Sequence, residues 1–314
     1  MKNLLFLTNY ENIIPQRITD KESIDINIIR NELEKQNIES DVKTYEALNK
    51  EPHIVNDFNF VFYASSQKPK YKEFILDHLI NIQSQGIMLI PGIEHFIAHE
   101  NKSFQTIFLN NRNFNCVNSR VISNYEEGIR YLNEKKLPLV VKTSDGWGSK
   151  GVKLIKSRIK FKLFLFQNLK ERYHGTKGLG KIVVQEYIQN LEGDWKILIF
   201  GNKIAGLYRL NRKNDFRASG SGKFQFKEVP ENILNFASEV KEELKVPCCS
   251  LDVFETKEGP VLGEFQTLHF GLTTALKCNF HYELKNRIYN KINGPINVDK
   301  EIANEIIKII KNDS

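Results

Sequence analysis

A chain of 314 residues is long enough for two or three small domains around a sizeable buried core. Its composition, 41% hydrophobic and 26% charged, is that of an ordinary globular protein and sets disorder aside. The net charge of +7 favours an anionic ligand, and because the basic residues are dispersed rather than gathered in a low-complexity arm, a phosphate-bearing small molecule is expected rather than a nucleic acid.

In chain order, the apolar run Leu4–Thr8 predicts a first strand, too short for a signal-peptide core and lacking a small-residue cleavage site. Ile24–Lys35 fits a helix loosely, and Phe58–Tyr63 reads as a second strand. Tyr71–Gln85 repeats Phe74, Ile75, His78, Leu79 and Ile82 at helical spacing. Ile87–Pro91 completes an alternation of strand and helix that implies a parallel sheet with helices packed on it. No glycine-rich dinucleotide fingerprint follows the first strand.

From Ile93 the pattern changes. Asn101–Leu109 reads as the start of a helix and Tyr125–Lys135 as a short amphipathic one. Strands follow at Leu139–Thr143 and Val152–Lys156, around a glycine loop. Ile159–Leu169 reads as helix, its aromatic density leaving strand open. After the glycine-rich stretch from Gly175 to Gly180 comes a strand, Ile182–Ile188. Two hairpins turn at Gly201-Asn202 and near Glu258-Gly259, with a helix Glu231–Leu244 between them and a terminal amphipathic helix Asp299–Ile310. No run is apolar and long enough to span a membrane, so the expected location is the cytoplasm. Cys116, Cys248, Cys249 and Cys278 form neither a disulfide framework nor a paired zinc motif.

Three segments carry chemistry. An apolar strand delivers Lys142 into a loop holding Gly146, Gly148, Ser149 and Gly151. Glycines let backbone N–H groups approach phosphate oxygens, and lysine supplies a compact charge to them. A flexible hairpin with a solvated lysine is the other reading. The loop is not a Walker A motif, because Val152 stands where that lysine belongs. In the second hairpin, a three-residue turn centred on Glu258 sets Asp252 opposite Glu264, and Ser250 opposite Gln266. Opposed carboxylates repel, and a divalent cation with oxygen ligands relieves them; a solvated acidic pair is the alternative. In the first hairpin Asp194, Lys196, Leu207 and Arg209 share one side, and Arg212 and Arg217 follow, either for phosphate oxygens or as a basic surface loop.

Together these segments resemble the ATP-grasp superfamily, and within it the ribosomal-protein glutamate ligases and the glutathione synthetase-like carboxylate-amine ligases. The resemblance runs from about Ile93 to Thr274. It rests on His99-Glu-Asn-Lys102, Val141-Lys142 with the glycine loop, Val184-Gln185-Glu186-Tyr187-Ile188 and Gly193-Asp194-Trp-Lys196. It continues through Asp215-Phe216-Arg217-Ala218, Leu251-Asp252-Val253 and Gly263-Glu264-Phe265-Gln266. It implies an α/β protein: a small Rossmann-like N-terminal domain (1–92) and a two-subdomain, α+β ATP-grasp fold (93–185 and 186–314). The cofactors implied are ATP and Mg²⁺, or Mn²⁺ in its place.

The roles that follow are implied by the same resemblance. Lys102 and Lys142 hold phosphates, and the loop Gly146–Gly151 closes over them. Gln185 and the hinge Glu186, Tyr187 and Ile188 take the adenine. Asp194 meets the ribose, beside Lys196. Asp252, Glu264 and Gln266 ligate the metal, while Arg209 and Arg217 steady the transferred phosphoryl group. Gln266 departs from a usual Asn and Lys196 from a usual Arg. The segment Thr267-Leu-His269-Phe-Gly271 differs from the usual small-residue and proline run, which leaves the substrate and the part played by His269 open. The implied reaction joins a small-molecule or peptide carboxylate to an amine through an acyl phosphate, with the glycine loop and the Gly175–Gly180 stretch as candidate lids. A phosphotransferase and a catalytically silent nucleotide-binding protein are the alternatives, and the oligomeric state is left open.

Overall fold

Leu4, Leu5, Phe6 and Leu7 are completely buried, which a strand achieves only when both faces of its sheet are covered. The computed structural model, which describes residues 3–16, 23–144, 151–169 and 180–312, places them in β1 (Asn3–Thr8) of a parallel sheet. There follow α1 (Ile26–Glu34), β2 (Glu39–Thr44), α2 (Tyr45–Lys50), β3 (Phe60–Tyr63), α3 (Pro69–Ser84) and β4 (Met88–Ile90). The strand order is β2-β1-β3-β4. β2 and α2 were not predicted. As an edge strand β2 is only partly buried, so its sequence ESDVKT carries no apolar alternation.

Two short helices, α4 (Ile93–Ala98) and α5 (Lys102–Asn110), lead to β5 (Ser119–Ile122), α6 (Tyr125–Glu134), β6 (Leu139–Thr143), β7 (Val152–Ile155), α7 (Arg158–Leu169) and β8 (Ile182–Glu186). These strands form an antiparallel sheet ordered β5-β8-β6-β7. Its core includes Ile122, Leu132, Val141, Phe161, Leu165 and Val184. The helix reading of the aromatic segment holds, because Phe161, Phe164, Leu165 and Leu169 bury one face of α7.

The largest sheet is antiparallel. It begins with β9 (Gly193–Phe200), β10 (Lys203–Leu210) and β11 (Phe224–Gln225). After α8 (Glu231–Leu244) come β12 (Cys248–Thr256) and β13 (Gly259–Gln266). Then α9 (Thr273–Lys277) leads to β14 (Phe280–Lys285), β15 (Ile288–Asn293) and α10 (Val298–Asn312). The order is β13-β12-β9-β10-β14-β15, with β11 on β10. Alternation divides the faces: Trp195, Ile197, Ile199, Leu251, Val253 and Phe265 share a core with Ile233, Ala237 and Val240 of α8. The β14–β15 hairpin went unpredicted because β15 is mostly exposed and polar and its turn uses Asn286 and Arg287, at φ 51° and 64°, rather than a glycine pair.

The N-terminal sheet and the large sheet share one core. Leu198, Phe200 and Ala205 lie in it with β1 and β3, and Ile302, Ala303, Ile306 and Ile310 of α10 close it. This seats the N-terminal sheet at one end of the face that carries the polar residues described next. Among the described residues no helix is long and apolar enough to cross a membrane.

Candidate functional site

The site grows from strand register. β9 and β10 pair across a two-residue turn at Gly201-Asn202, which sets Asp194 opposite Arg209 and Lys196 opposite Leu207. β12 pairs with β9 so that Asp252 stands beside Lys196. Asp252 also stands opposite Glu264, and Ser250 opposite Gln266. That expected pairing is reached by a different route. The turn has two residues, Lys257 and Glu258, and a bulge supplies the third: Asp252 pairs with Glu264 but Val253 with Leu262, leaving Gly263 as the extra residue.

One arginine holds two carboxylates. Arg209 Nε donates to Asp194 Oδ1 at 2.6 Å and Nη2 to Asp194 Oδ2 at 2.8 Å. The same Nη2 lies 2.8 Å from Asp252 Oδ2, and Lys196 Nζ donates to Asp252 Oδ1 at 3.2 Å. Burial alone would raise the pKa of Asp252; Arg209 and then Lys196 outweigh it and hold the carboxyl at about 2. Burial raises Asp194, with Arg209 opposing and the Asp252 charge adding to the rise. Asp194, expected at the ribose, lines the cavity and is also an ion-pair partner. Register places Arg209 directly against it, and both carboxylate oxygens accept from that guanidinium. Arg209 itself is turned toward Asp194 and Asp252.

The small antiparallel sheet supplies the opposing cations. Lys142 leaves the end of β6, and Lys102 opens α5, where its backbone N–H donates to the Ser144 carbonyl at 2.9 Å. The Ser144 hydroxyl and the Asn101 side chain are also paired, at 3.2 Å, so the two lysines are tied to one junction. Burial lowers the proton affinity of Lys142; Glu264 and Asp252 work against this and Lys102 with it. Gly151 does not line the cavity. At φ +77° its carbonyl accepts from Thr143 N–H, and a β-carbon there would sit 2.2 Å from Thr143 Oγ1, so it closes the β6–β7 hairpin. Gly146, Gly148, Ser149 and all of the Gly175–Gly180 stretch but Gly180 lie outside the described residues.

These elements enclose a cavity of about 610 Å³. Lys102, Lys142, Gln185, Glu186, Tyr187, Ile188, Asp194, Lys196, Arg209, Arg217, Asp252, Glu264 and Gln266 all line it. The Glu186 carboxylate, however, is engaged by Lys135 and Asn118, each at 2.8 Å. Arg217 pairs through Nε and Nη2 with Asp215 and donates to the Val152 carbonyl at 3.3 Å. Gln266 Nε2 donates to Glu264 Oε1 at 3.1 Å, while Gln266 Oε1 and the Ser250 hydroxyl are buried without a hydrogen-bond partner among the described residues.

Several lining residues escaped the sequence reading. Val140, Leu191 and Phe216 make an apolar wall with Tyr187 and Ile188, and the Tyr187 and Phe216 rings meet edge to face at 5.9 Å. Phe216 stood inside a quoted motif, but its ring direction has no sequence signal. Gln67 comes from the connection between β3 and α3, far away in the chain, and nothing local marks it. His99 is buried, hydrogen-bonded to Ser65 at 3.0 Å and stacked on His269 at 5.7 Å, which brings the open histidine into the cavity lining.

The comparisons with known proteins agree with this fold. No curated protein sequence matches the chain. Among solved structures, a RimK domain ATP-grasp protein from Sphaerobacter thermophilus is 13% identical over 98% of this chain and 99% of its own, with a TM-score of 0.53. D-alanine–D-alanine ligase from Bacillus anthracis, complexed with ATP, is 15% identical over the whole of both chains, with a TM-score of 0.57. The ATP-grasp ligase PsnB, complexed with a precursor peptide and AMPPNP, is 9% identical over 98% of both, with a TM-score of 0.57. At these identities the likeness speaks for the fold. The family model of the RimK-like ATP-grasp domain matches residues 99–284, more than half of the sequence and nearly every strand that builds the cavity, and the chain belongs to that family.

Proposed function

We propose that the protein binds Mg-ATP and joins a carboxylate to an amine through an acyl phosphate. The observation that carries this reading is the convergence of Lys102 and Lys142 with the opposed Asp252 and Glu264 around one cavity. In this reading residues 1–92 supply one wall, 93–185 the lysine-bearing sheet and 186–314 the carboxylate-bearing sheet. Tyr187, Ile188, Phe216 and Leu191 offer an apolar slot for the adenine. Lys102 and Lys142 then meet the phosphates as point charges. Two of the similar structures bear the name ligase, and one of these holds ATP.

The donor set fits Mg²⁺. Asp252 and Glu264 are hard oxygen ligands on one rung, and the buried Gln266 oxygen is short of a partner. Among the described residues no three His, Cys, Asp or Glu side chains close a metal site by themselves. This suits Mg²⁺, which takes one or two carboxylates and completes its shell with phosphate oxygens and water. Mn²⁺ accepts the same oxygens. When bound, the metal supplies charge neutralisation on the phosphates. The protein's own part is to orient. Arg209 and Lys196 hold Asp252 ionised and aimed, and the lysines draw the triphosphate into line. The substrate carboxylate attacks the γ-phosphorus, ADP leaves, and the amine then displaces phosphate from the acyl carbon; positioning and charge stabilisation do most of this work.

The test is a panel of carboxylic acids, amino acids and short peptides incubated with Mg-ATP and hydroxylamine. A ligase forms a hydroxamate as ADP appears. A stable phosphorylated product without hydroxamate would mean that the reaction stops at phosphoryl transfer, and the ligase reading would give way to a phosphotransferase.

A further inference from the structure

We propose that the outer face of α7 docks on an anionic lipid surface, with Ile159, Leu163 and Phe166 entering the headgroup layer and the lysines around them meeting the lipid anions. The proposal stands apart from the ligase reading, because no residue of α7 is among those that line the cavity. It begins with charge. The net charge of +7 reads as dispersed when single motifs are compared. Yet residues 150–181 hold ten lysines and arginines and one acid, and the rest of the chain holds slightly more acids than bases. In the described stretch 151–169 there are five bases, Lys153, Lys156, Arg158, Lys160 and Lys162, all of them exposed, and no acid. A concentration of that kind marks an anionic partner. Glu127 and Glu134 of neighbouring α6 do not cancel it, since both lie within 4.0 Å of Arg120.

The apolar residues supply the second, independent observation. One face of α7 is buried through Phe161, Phe164, Leu165 and Leu169. On an ordinary surface helix the opposite face is polar. Here Ile159, Leu163 and Phe166, spaced four and three residues apart and so in one stripe, are 80%, 54% and 43% exposed. Every other described helix exposes one large apolar side chain at most, as scattered surface residues do. By helical spacing Lys160 and Lys162 fall on opposite sides of the stripe. Shape and chemistry then choose the partner. At 80% exposure Ile159 projects from the surface rather than lining a cleft, whereas a bound peptide is held in a groove or at a sheet edge. Single-stranded nucleic acid is gripped by stacked aromatics and duplex bases by planar groups such as guanidinium. Two of the three tips here are aliphatic, and four of the five bases are lysine. Apolar tips among lysines are what an interfacial helix puts into the boundary between headgroups and acyl chains. Each lysine near an anionic leaflet adds its own attraction.

The test is flotation of the protein with two kinds of vesicle at about 0.1 M salt: phosphatidylcholine alone, and phosphatidylcholine with about a quarter phosphatidylserine. Binding to the anionic vesicles should be about tenfold or more tighter than to the neutral ones, because several lysines each gain from the surface potential. Ile159→Glu combined with Leu163→Glu should weaken anionic binding by about tenfold or more, since the tips then carry charge into the headgroup layer. Both positions are exposed, and an unchanged urea midpoint reports an intact fold. Lys160→Glu combined with Lys162→Glu is the second variant; it should weaken binding to the anionic vesicles and leave any binding to neutral ones as it was. Equal binding of the wild type to both vesicles, binding to neither, or wild-type affinity in either double variant overturns the proposal. Retention of RNA or of polyglutamate by a wild type that leaves the vesicles unbound also overturns it and gives the face to a soluble polyanion.

Discussion

On the large sheet, Asp194, Lys196, Arg209 and Asp252 take their places from strand register; across the cavity, Glu100 and His269 take theirs from single residues in left-handed backbone, at φ 56° and 46°. The first arrangement is a ladder in which each charge has a partner one strand away. The second depends on contacts between distant parts of the chain, such as Gln67 to Glu100 and Ser65 to His99. A one-residue slip of register would turn the whole charged set to the opposite face, so the sheet specifies its polar face as firmly as its core. The wall opposite has no such register to hold it. In the proposed reading the nucleotide and metal fall to the sheets and substrate choice to the wall.

The largest effect should come from breaking the ladder at its centre. Arg209→Ala removes the guanidinium that holds both Asp194 and Asp252, whose side chains are 8% and 20% exposed. Leaving buried carboxylates unpaired costs about 3–5 kcal/mol, to be read from urea unfolding. A loss below about 1 kcal/mol would place these pairs with weak surface ion pairs and erase the contrast between the two walls. Next, Asp252→Asn should depress ADP release with carboxylate and amine present by about a hundredfold or more, as for removal of one preorganised electrostatic group. Wild-type turnover in that variant would remove the metal assignment from this rung. Lys142→Ala should weaken Mg-ATP by about 1.5–3 kcal/mol, the worth of one charge-assisted hydrogen bond, measured by calorimetry. An unaltered dissociation constant would turn Lys142 into a structural lysine of β6.

The smallest effect sharpens the other side. His99 is buried, and burial first, then Lys72 and His269, hold its proton affinity well below the usual histidine value. The native state therefore resists the proton that the unfolded chain accepts near pH 6.5. Stability from the neutral ring is whole above that pH and falls below it by about 1.4 kcal/mol per pH unit, until the folded pKa is reached. His99→Gln should flatten the difference between unfolding curves taken at about pH 7 and pH 5. Equal slopes in the two proteins would mean that the ring protonates freely in the native state.

Much of this was written into local sequence. The run Leu4–Thr8, the periodicity of the helix after Pro69 and the helix Glu231–Leu244 were legible because apolar spacing reports burial over a few residues. Gly201-Asn202 marked its turn, and from it followed the opposition of Asp194 and Arg209. Asp252 and Glu264 were correctly paired, although an assumed longer turn stood in for a bulge at Gly263 that no local pattern announces. The motifs placed the chain among ATP-grasp proteins, and the family match agrees.

Tertiary structure decided the rest. That Asp194 pairs with Arg209 depends on side-chain geometry across a strand pair, and strand spacing alone does not distinguish a salt bridge from two free groups. β2 is polar and only partly buried, and β15 is polar and mostly exposed; they are strands because neighbouring strands offer them hydrogen bonds. Gln67 and Glu100 meet because the N-terminal sheet docks on the core of the large sheet through Leu198, Phe200 and α10. Sequence by itself determined which groups are available for nucleotide chemistry, because periodicity and turns act over short range. Which groups face one another across the cavity was settled by packing, because that depends on how whole sheets come together.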